Sequence, residues 1–221
     1  MILQDIALLK LHAVFAVDRA GLVGEDGETH HGVFDVGFLR QVPGLTLLCP
    51  GSCKELSRML RWAVLEQNGP VAIRYPRGGD RDFTASHWNG DDSFSVHRQG
   101  THITVITYGT LISTVMEAAA FLADQGIEVT VLRAMCLTDI DPEALTRLLA
   151  PSDKVFVAEE AMAGSGIRGE IAALLPGHRV FGADLGDNFV THGSMKALYA
   201  HYGLDAQSLS KKIAEVVRLE N

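Results

Sequence analysis

The sequence predicts an α/β protein with mainly parallel sheets and flanking helices, built as two successive units. Short apolar runs rich in β-branched residues alternate with longer segments of helical period, the pattern of parallel strands joined by crossover helices. A polar, turn-rich stretch at 79–100, from Gly-Asp-Arg-Asp through Asn-Gly-Asp-Asp to Arg-Gln-Gly, interrupts that alternation and reads as a linker. The expected division is therefore 1–78, 79–100 and 101–221. With 221 residues, 47% of them hydrophobic, the chain has enough apolar material to bury a core in each part.

In the first unit, 13–17, 45–49 and 71–75 read as strands. Segment 52–66 reads as a helix with Leu56, Met59, Leu60 and Ala63 on one face. Three strands apolar on both sides, with one clear helix, leave sheet faces and an edge uncovered, which proteins in water rarely tolerate. The first unit is thus expected to be completed by another chain or by sequence outside this one. Asn89-Gly90 carries a hairpin signal. In the second unit 103–107, 128–132, 154–158 and 179–182 read as strands, separated by helices near 110–124, 141–150 and 165–175. A last amphipathic helix is expected over 205–218 with Asp205 as its N-cap. This unit could fold alone. No internal repeat or low-complexity tract is present.

A formal net charge of −8 without a basic stripe argues against nucleic acid or an anionic membrane as main partner. No apolar run approaches the roughly 18 residues needed to span a bilayer, and no secretory signal stands at the N-terminus. With three cysteines and no disulfide framework, the expected compartment is the cytosol. Cys49-x3-Cys53 lacks a second cysteine or histidine pair at zinc-site spacing and reads as buried thiols.

The residues suited to chemistry gather at 18–32 and at Arg74-Tyr75-Pro76-Arg77-Gly78. Arg19 follows a strand, where the carboxyl ends of parallel strands open into ligand crevices. The loop from Ala20 to Gly32 holds four glycines, so its backbone can lie close to a ligand. A guanidinium there can pair bidentately with a phosphate or carboxylate, or it can bond loop carbonyls. Asp26, His30 and His31 follow; a histidine near an acid can shuttle protons or donate to hydroxyls, or can simply lie on the surface. Pro76 restricts Tyr75 to extended backbone and so fixes the directions of Arg74 and Arg77. The structural alternative pairs one arginine with Asp80 or Asp82 and leaves the other exposed, and for Arg74 this alternative is preferred. Finally, Gly164-Ser165-Gly166-Ile167-Arg168-Gly169, with Asp184 beyond, imitates a dinucleotide fingerprint. Glu159 and Glu160 would stand where a pyrophosphate wants backbone amides, so these glycines read as close helix packing instead.

The loop at 18–32 combined with Arg74-Tyr75-Pro76-Arg77-Gly78, then 103–109, Glu159-Glu160 and Phe189-Val190-Thr191-His192-Gly193-Ser194, resembles the 1-deoxy-D-xylulose-5-phosphate synthases. These are thiamin-diphosphate enzymes of the transketolase superfamily, and the similarity runs from Gln4 to Asp205. It implies that 1–78 is the second half of a pyrimidine-binding domain and 101–221 a transketolase C-terminal domain. The family condenses a two-carbon unit from decarboxylated pyruvate with D-glyceraldehyde 3-phosphate, for isoprenoid and thiamine biosynthesis, using thiamin diphosphate and Mg²⁺. By resemblance Arg19 and Arg77 would hold the aldehyde's phosphate, while Asp26 and His30 would contact hydroxyls or assist proton transfer.

The chain also departs from the family. His12 stands where proline is usual, and no G-D-G motif with a downstream asparagine is present, since Gly24-Glu25-Asp26-Gly27 lies in the substrate loop. The main binding groups for cofactor and metal are therefore expected on a complementary N-terminal chain or in missing sequence. The chain is expected to be inactive alone and to form a homo-oligomer such as a dimer. The alternatives are a non-catalytic remnant or interaction module that keeps an anion site, and a transketolase-like enzyme with another acceptor.

Overall fold

The computed structural model describes residues 1–80, 88, 90 and 93–219. A wide helical segment, Ile2–Ala7, leads into a first sheet of β1 (Val14–Val17), β2 (Thr46–Leu48) and β3 (Val71–Arg74). These strands are all parallel, in the order β1-β3-β2. A short helix α1 (Asp35–Leu39) lies between β1 and β2, and α2 (Cys53–Leu65) between β2 and β3. Helix α2 starts at Ser52, whose hydroxyl accepts from the Glu55 N–H at 3.2 Å. Its Met59 and Ala63 pack on Val71, Ile73 and Leu48. The sequence reading misses α1 because Gly37 interrupts a segment of only five residues, too short to show a period.

The second sheet contains β4 (Phe94–Arg98), β5 (Ile103–Tyr108), β6 (Val129–Ala134), β7 (Lys154–Ala158) and β8 (Arg179–Ala183) in the order β4-β6-β5-β7-β8. All pairs are parallel except β4 with β6. Its helices are α3 (Ile112–Ala123), α4 (Pro142–Leu148), α5 (Arg168–Leu174), α6 (Met195–Tyr202) and α7 (Ala206–Arg218). Asp205 caps α7, accepting from the Ser208 N–H at 3.0 Å. Two of these elements go unread in the sequence. Strand β4 falls inside the stretch read as linker; as an antiparallel edge strand next to turn residues it has no separate apolar signature. Helix α6 is bounded by Ser194, which accepts from Ala197 N–H, and by Gly203 in the left-handed region at φ +65°, signals hidden behind the stretch at 189–194. The hairpin expected at Asn89-Gly90 falls largely outside the described residues.

Alternation along β5, β6 and β7 assigns the two faces of this sheet. Ile103, Val105, Val129, Val131 and Phe156 join the core with α3 and α7. Ile106, Tyr108, Leu132, Val155 and Val157 face Leu145 and Ile171, and also Val36, Leu39, Leu45 and Leu47 of the first unit. The two units therefore share one apolar layer. They also share a ladder: β2 bridges antiparallel to Cys136 through Leu48, with Cys49 N–H donating to Met135 O at 2.9 Å and Leu137 N–H to Leu47 O at 2.8 Å. The second unit thereby covers one face and the β2 edge of the first sheet, which its sequence alone left open. Among the described residues β1 pairs only with β3, and the Leu8, Leu9 and Leu11 side chains just before it are exposed.

A fully buried ion pair ties the units together. Arg133 on β6 donates to both oxygens of Glu55 on α2, at 2.5 and 2.7 Å, and Gly51 N–H donates to Glu55 Oε2 at 2.7 Å. Removing one member of such a pair leaves the other charge stranded in low dielectric. The Glu55→Gln variant should lose about 3–5 kcal/mol in urea denaturation, whereas Glu55→Met combined with Arg133→Met should lose much less. A loss below about 1 kcal/mol for Glu55→Gln, as for a surface pair, would contradict this assignment.

Candidate functional site

The loop from Ala20 to Gly32 leaves the sheet where β1 and β3 end, with Ala20 N–H donating to Tyr75 O at 3.0 Å. Its neck is closed by Gly21 N–H to Gly32 O at 2.8 Å and by Gly32 N–H to Arg19 O at 3.0 Å. A Cβ at Gly32 would lie 2.3 Å from that Arg19 oxygen, so only glycine allows the two limbs to meet. Arg19 itself sits in the left-handed region at φ +60°, a conformation that costs a non-glycine residue about 1–2 kcal/mol and that the closed neck maintains.

Beneath the neck lies Arg74, at the end of β3. It is 4% exposed and donates to Asp35 Oδ2 through Nε at 3.0 Å and to Gly32 O through Nη2 at 3.0 Å. Its guanidinium also stands 5.5 Å from the ring centroid of Tyr108 on β5. Burial works against its charge, but the charge of Asp35, with Cys49 and Tyr108, more than offsets this, so its pKa lies above the ordinary arginine range. The expected partner of Arg74 is thus corrected. It pairs with Asp35, while Asp80 accepts from the Cys53 N–H at 2.5 Å and Asp82 is outside the described residues. Cys49, fully buried nearby, has its thiol pushed up to about 12 by burial and is no nucleophile at neutral pH.

Arg77, three residues further on, points the other way. A short turn of 3-10 helix at Gly24–Asp26 presents Asp26 to it. The carboxylate accepts from Arg77 Nη1 at 2.5 Å and lies 3.5 Å from Arg19 Nε. Arg19, Asp26 and Arg77 therefore converge, with two guanidinia facing one carboxylate at the surface. Arg19 also touches Asp18; among the described residues its side chain thus pairs with acids and not with the loop carbonyls of the alternative reading. The hydrogen bond from Arg77, then the charges of both arginines, outweigh partial burial and hold Asp26 below the usual carboxylate range. His30 does not join this group. Among the described residues it has no bond to the other three; its Nδ1 lies 2.9 Å from Thr29 Oγ1, and its ring is exposed.

The second unit grips the loop from behind. His31 is buried, and its Nδ1 accepts from Val23 N–H at 3.1 Å, which places the ring proton on Nε2, 3.2 Å from Thr191 O. Gly193 N–H donates to Gly24 O at 3.3 Å. Glu160 Oε1 accepts from Leu22 N–H at 3.3 Å and from Tyr199 O–H at 2.9 Å. Between these clamps lies a cavity of about 410 Å³ lined by Arg77, Thr110, Glu160, Ser194 and Tyr199 among others. The contributions of Glu160, Thr191 and Tyr199 escape sequence reading because they join the loop across more than a hundred residues; only the Glu159-Glu160 pair gives any local sign.

At the fingerprint-like glycines a carboxylate fills the space a pyrophosphate would need. Glu159 Oε2 accepts from Ile167 N–H at 2.7 Å, and a Cβ at Gly166 would fall 1.9 Å from that oxygen. Asp184 pairs with Arg168 at 2.9 Å. Burial raises the Glu159 pKa. Among the described residues no three His, Cys, Asp or Glu side chains gather as a metal site, and no helix is long and apolar enough to cross a membrane.

Comparison with known proteins agrees with this architecture. The family model of the transketolase pyrimidine binding domain matches residues 1–80, and that of the transketolase C-terminal domain matches residues 92–209. A 1-deoxy-D-xylulose-5-phosphate synthase from Chlorobium luteolum is 38% identical over 98% of this chain and 35% of its own length. The synthase from Chlorobaculum tepidum is 39% identical over 97% of this chain and 35% of its length. The chain thus spans about a third of the length of these curated relatives. Among solved structures, one described as a split gene transketolase, inactive beta4 tetramer, superposes with TM-score 0.86 at 24% identity, covering 100% of this chain and 72% of that one. Transketolase from Campylobacter jejuni gives TM-score 0.78 at 21% identity, covering 95% of this chain and 32% of its own. These structural likenesses speak to the fold.

Because its folded-state pKa is lowered, Asp26 stabilises the triad above the ordinary carboxylate range and loses that contribution as pH falls through the folded-state value. Carbon-13 NMR titration of the Asp26 carboxyl should give a midpoint below 3.8, and Arg77→Ala should raise it more than Arg19→Ala. Equal midpoints in all three proteins would show that the triad does not form in solution.

Proposed function

This chain belongs to the transketolase family, and from that membership we propose that it is the C-terminal part of a thiamin-diphosphate-dependent 1-deoxy-D-xylulose-5-phosphate synthase. The observation that carries the reading is the convergence of Arg19 and Arg77 on one anionic group at the mouth of the sheet, in a chain whose curated relatives of that name align with nearly all of it. Two forked guanidinia suit the phosphate of D-glyceraldehyde 3-phosphate, since each can donate bidentately. Asp26, between the two arginines, takes the place of that anion. When the phosphate enters, Asp26 is released and its oxygens become acceptors for substrate hydroxyls. His30, exposed on the same loop, serves as the proton carrier at the substrate carbonyl.

Carbanion stabilisation belongs to the cofactor. The groups that hold thiamin diphosphate and Mg²⁺ are assigned to a complementary N-terminal portion. The partly uncovered β1 and the exposed leucines before it are the surface such a portion would cover. The assembly is read as a homo-oligomer of such pairs.

The test is a tagged pull-down from native cells, followed by an assay with pyruvate, glyceraldehyde 3-phosphate, thiamin diphosphate and Mg²⁺. Deoxyxylulose phosphate should form only with a co-purified thiamin-binding chain. Arg19→Ala or Arg77→Ala in that assembly should raise KM for the phosphorylated aldehyde about 10- to 100-fold, the loss of a charge-assisted bond. Turnover by the pure chain, or an intact assembly indifferent to both arginines, would refute the proposal; recovery of the chain alone and inactive would mean a non-catalytic module.

A further inference from the structure

We infer that Glu160, held by Tyr199, is a positioning residue through which the C-terminal unit aligns the anion site. The inference rests on reading Arg19, Asp26 and Arg77 as that site. Glu160 follows β7 closely and is 8% exposed. Its Oε1 collects two donors, the Leu22 amide from the loop and the Tyr199 hydroxyl from α6. A Cβ on Gly21 would come within 2.9 Å of the carboxylate carbon, so the loop backbone rests directly on Glu160. Gly21 turns there at φ +73°. Two residues earlier, Arg19 is held at φ +60°; four residues after Leu22 stands Asp26.

The carboxylate therefore supports the one stretch of chain that connects both loop members of the triad. Arg77, on another strand end, depends on it only through Asp26. A buried carboxyl group needs hydrogen-bond donors to replace those that water would have given. Here Tyr199 and the Leu22 amide supply those donors. The C-terminal unit thus acts on the site without touching the phosphate, by fixing where Asp26 and Arg19 stand.

The experiment reads Asp26 itself, without ligand. Its carboxyl is titrated by carbon-13 NMR in the full chain and in Glu160→Ala, Glu160→Gln, Tyr199→Phe and Ile213→Val. Binding of glyceraldehyde 3-phosphate is measured by calorimetry in parallel. Glu160→Ala should move the Asp26 midpoint up toward its ordinary value and weaken aldehyde-phosphate binding about tenfold. Glu160→Gln keeps an acceptor oxygen for both donors and should preserve both readings. Ile213→Val lowers stability in the α7 core without altering a loop residue and should leave the Asp26 midpoint in place. An unmoved midpoint in folded Glu160→Ala overturns the inference. Should that variant not fold, an unmoved midpoint in Tyr199→Phe overturns it equally. If the wild-type chain binds no aldehyde phosphate while Glu160→Ala still shifts Asp26, the functional reading falls and the positioning role stands.

Discussion

Burying a guanidinium demands a counter-charge and acceptors for its N–H groups, and the way this chain meets that demand at Arg74 organises the rest. Asp35 supplies the charge, the Gly32 carbonyl an acceptor, and the Tyr108 ring a face. Those three partners come from the start of α1, the neck of the loop and the first long strand of the second unit. One side chain therefore fixes the relation of β3 to the loop, and of the first sheet to the second. The same strand end then releases Arg77 outward to Asp26. The sequence Arg-Tyr-Pro-Arg places one arginine inside and one outside, with proline preventing the chain from coiling between them.

The division of labour between the units follows from this frame. The first contributes every charged member of the proposed anion site, and its loop is long and glycine-rich, with its apolar anchors near its ends. Such a loop needs support to hold Arg19 and Asp26 in register with Arg77. Support comes from the second unit through Glu160, His31 with Thr191, and Gly193 with Gly24, while the Glu55–Arg133 pair and the shared apolar layer keep the units from sliding. Leu22 and Val33 belong to the core of the second unit, so the two ends of the loop are anchored in the domain that the loop does not come from.

The fold was legible wherever period was strong. Strands β1, β2 and β3, strands β5 to β8, and helices α2, α3 and α7 each carry an alternation or an amphipathic stripe that local physics reads directly. Strand β4 and helices α1 and α6 were not legible: the first is an edge strand within polar turns, the second is five residues with a central glycine, and the third is short. Within the site, the loop residues announced themselves through charge and glycine spacing. What the sequence could not display was direction. Arg74 and Arg77 look equivalent until burial separates them, and His30 and His31 are neighbours of which one is exposed and the other bridges the units. The supports from Glu160, Tyr199 and Thr191 are long-range contacts, and no local pattern records them.

The central claim is that Arg19 and Arg77 form an anion site whose place Asp26 holds in the free chain. A crystal structure of the chain grown with glyceraldehyde 3-phosphate tests this most directly. The account predicts the phosphate between the two guanidinia with the Asp26 carboxylate turned away from Arg77. A structure in which the Arg77–Asp26 pair is intact and the phosphate lies elsewhere, or is absent at saturating concentration, would contradict it.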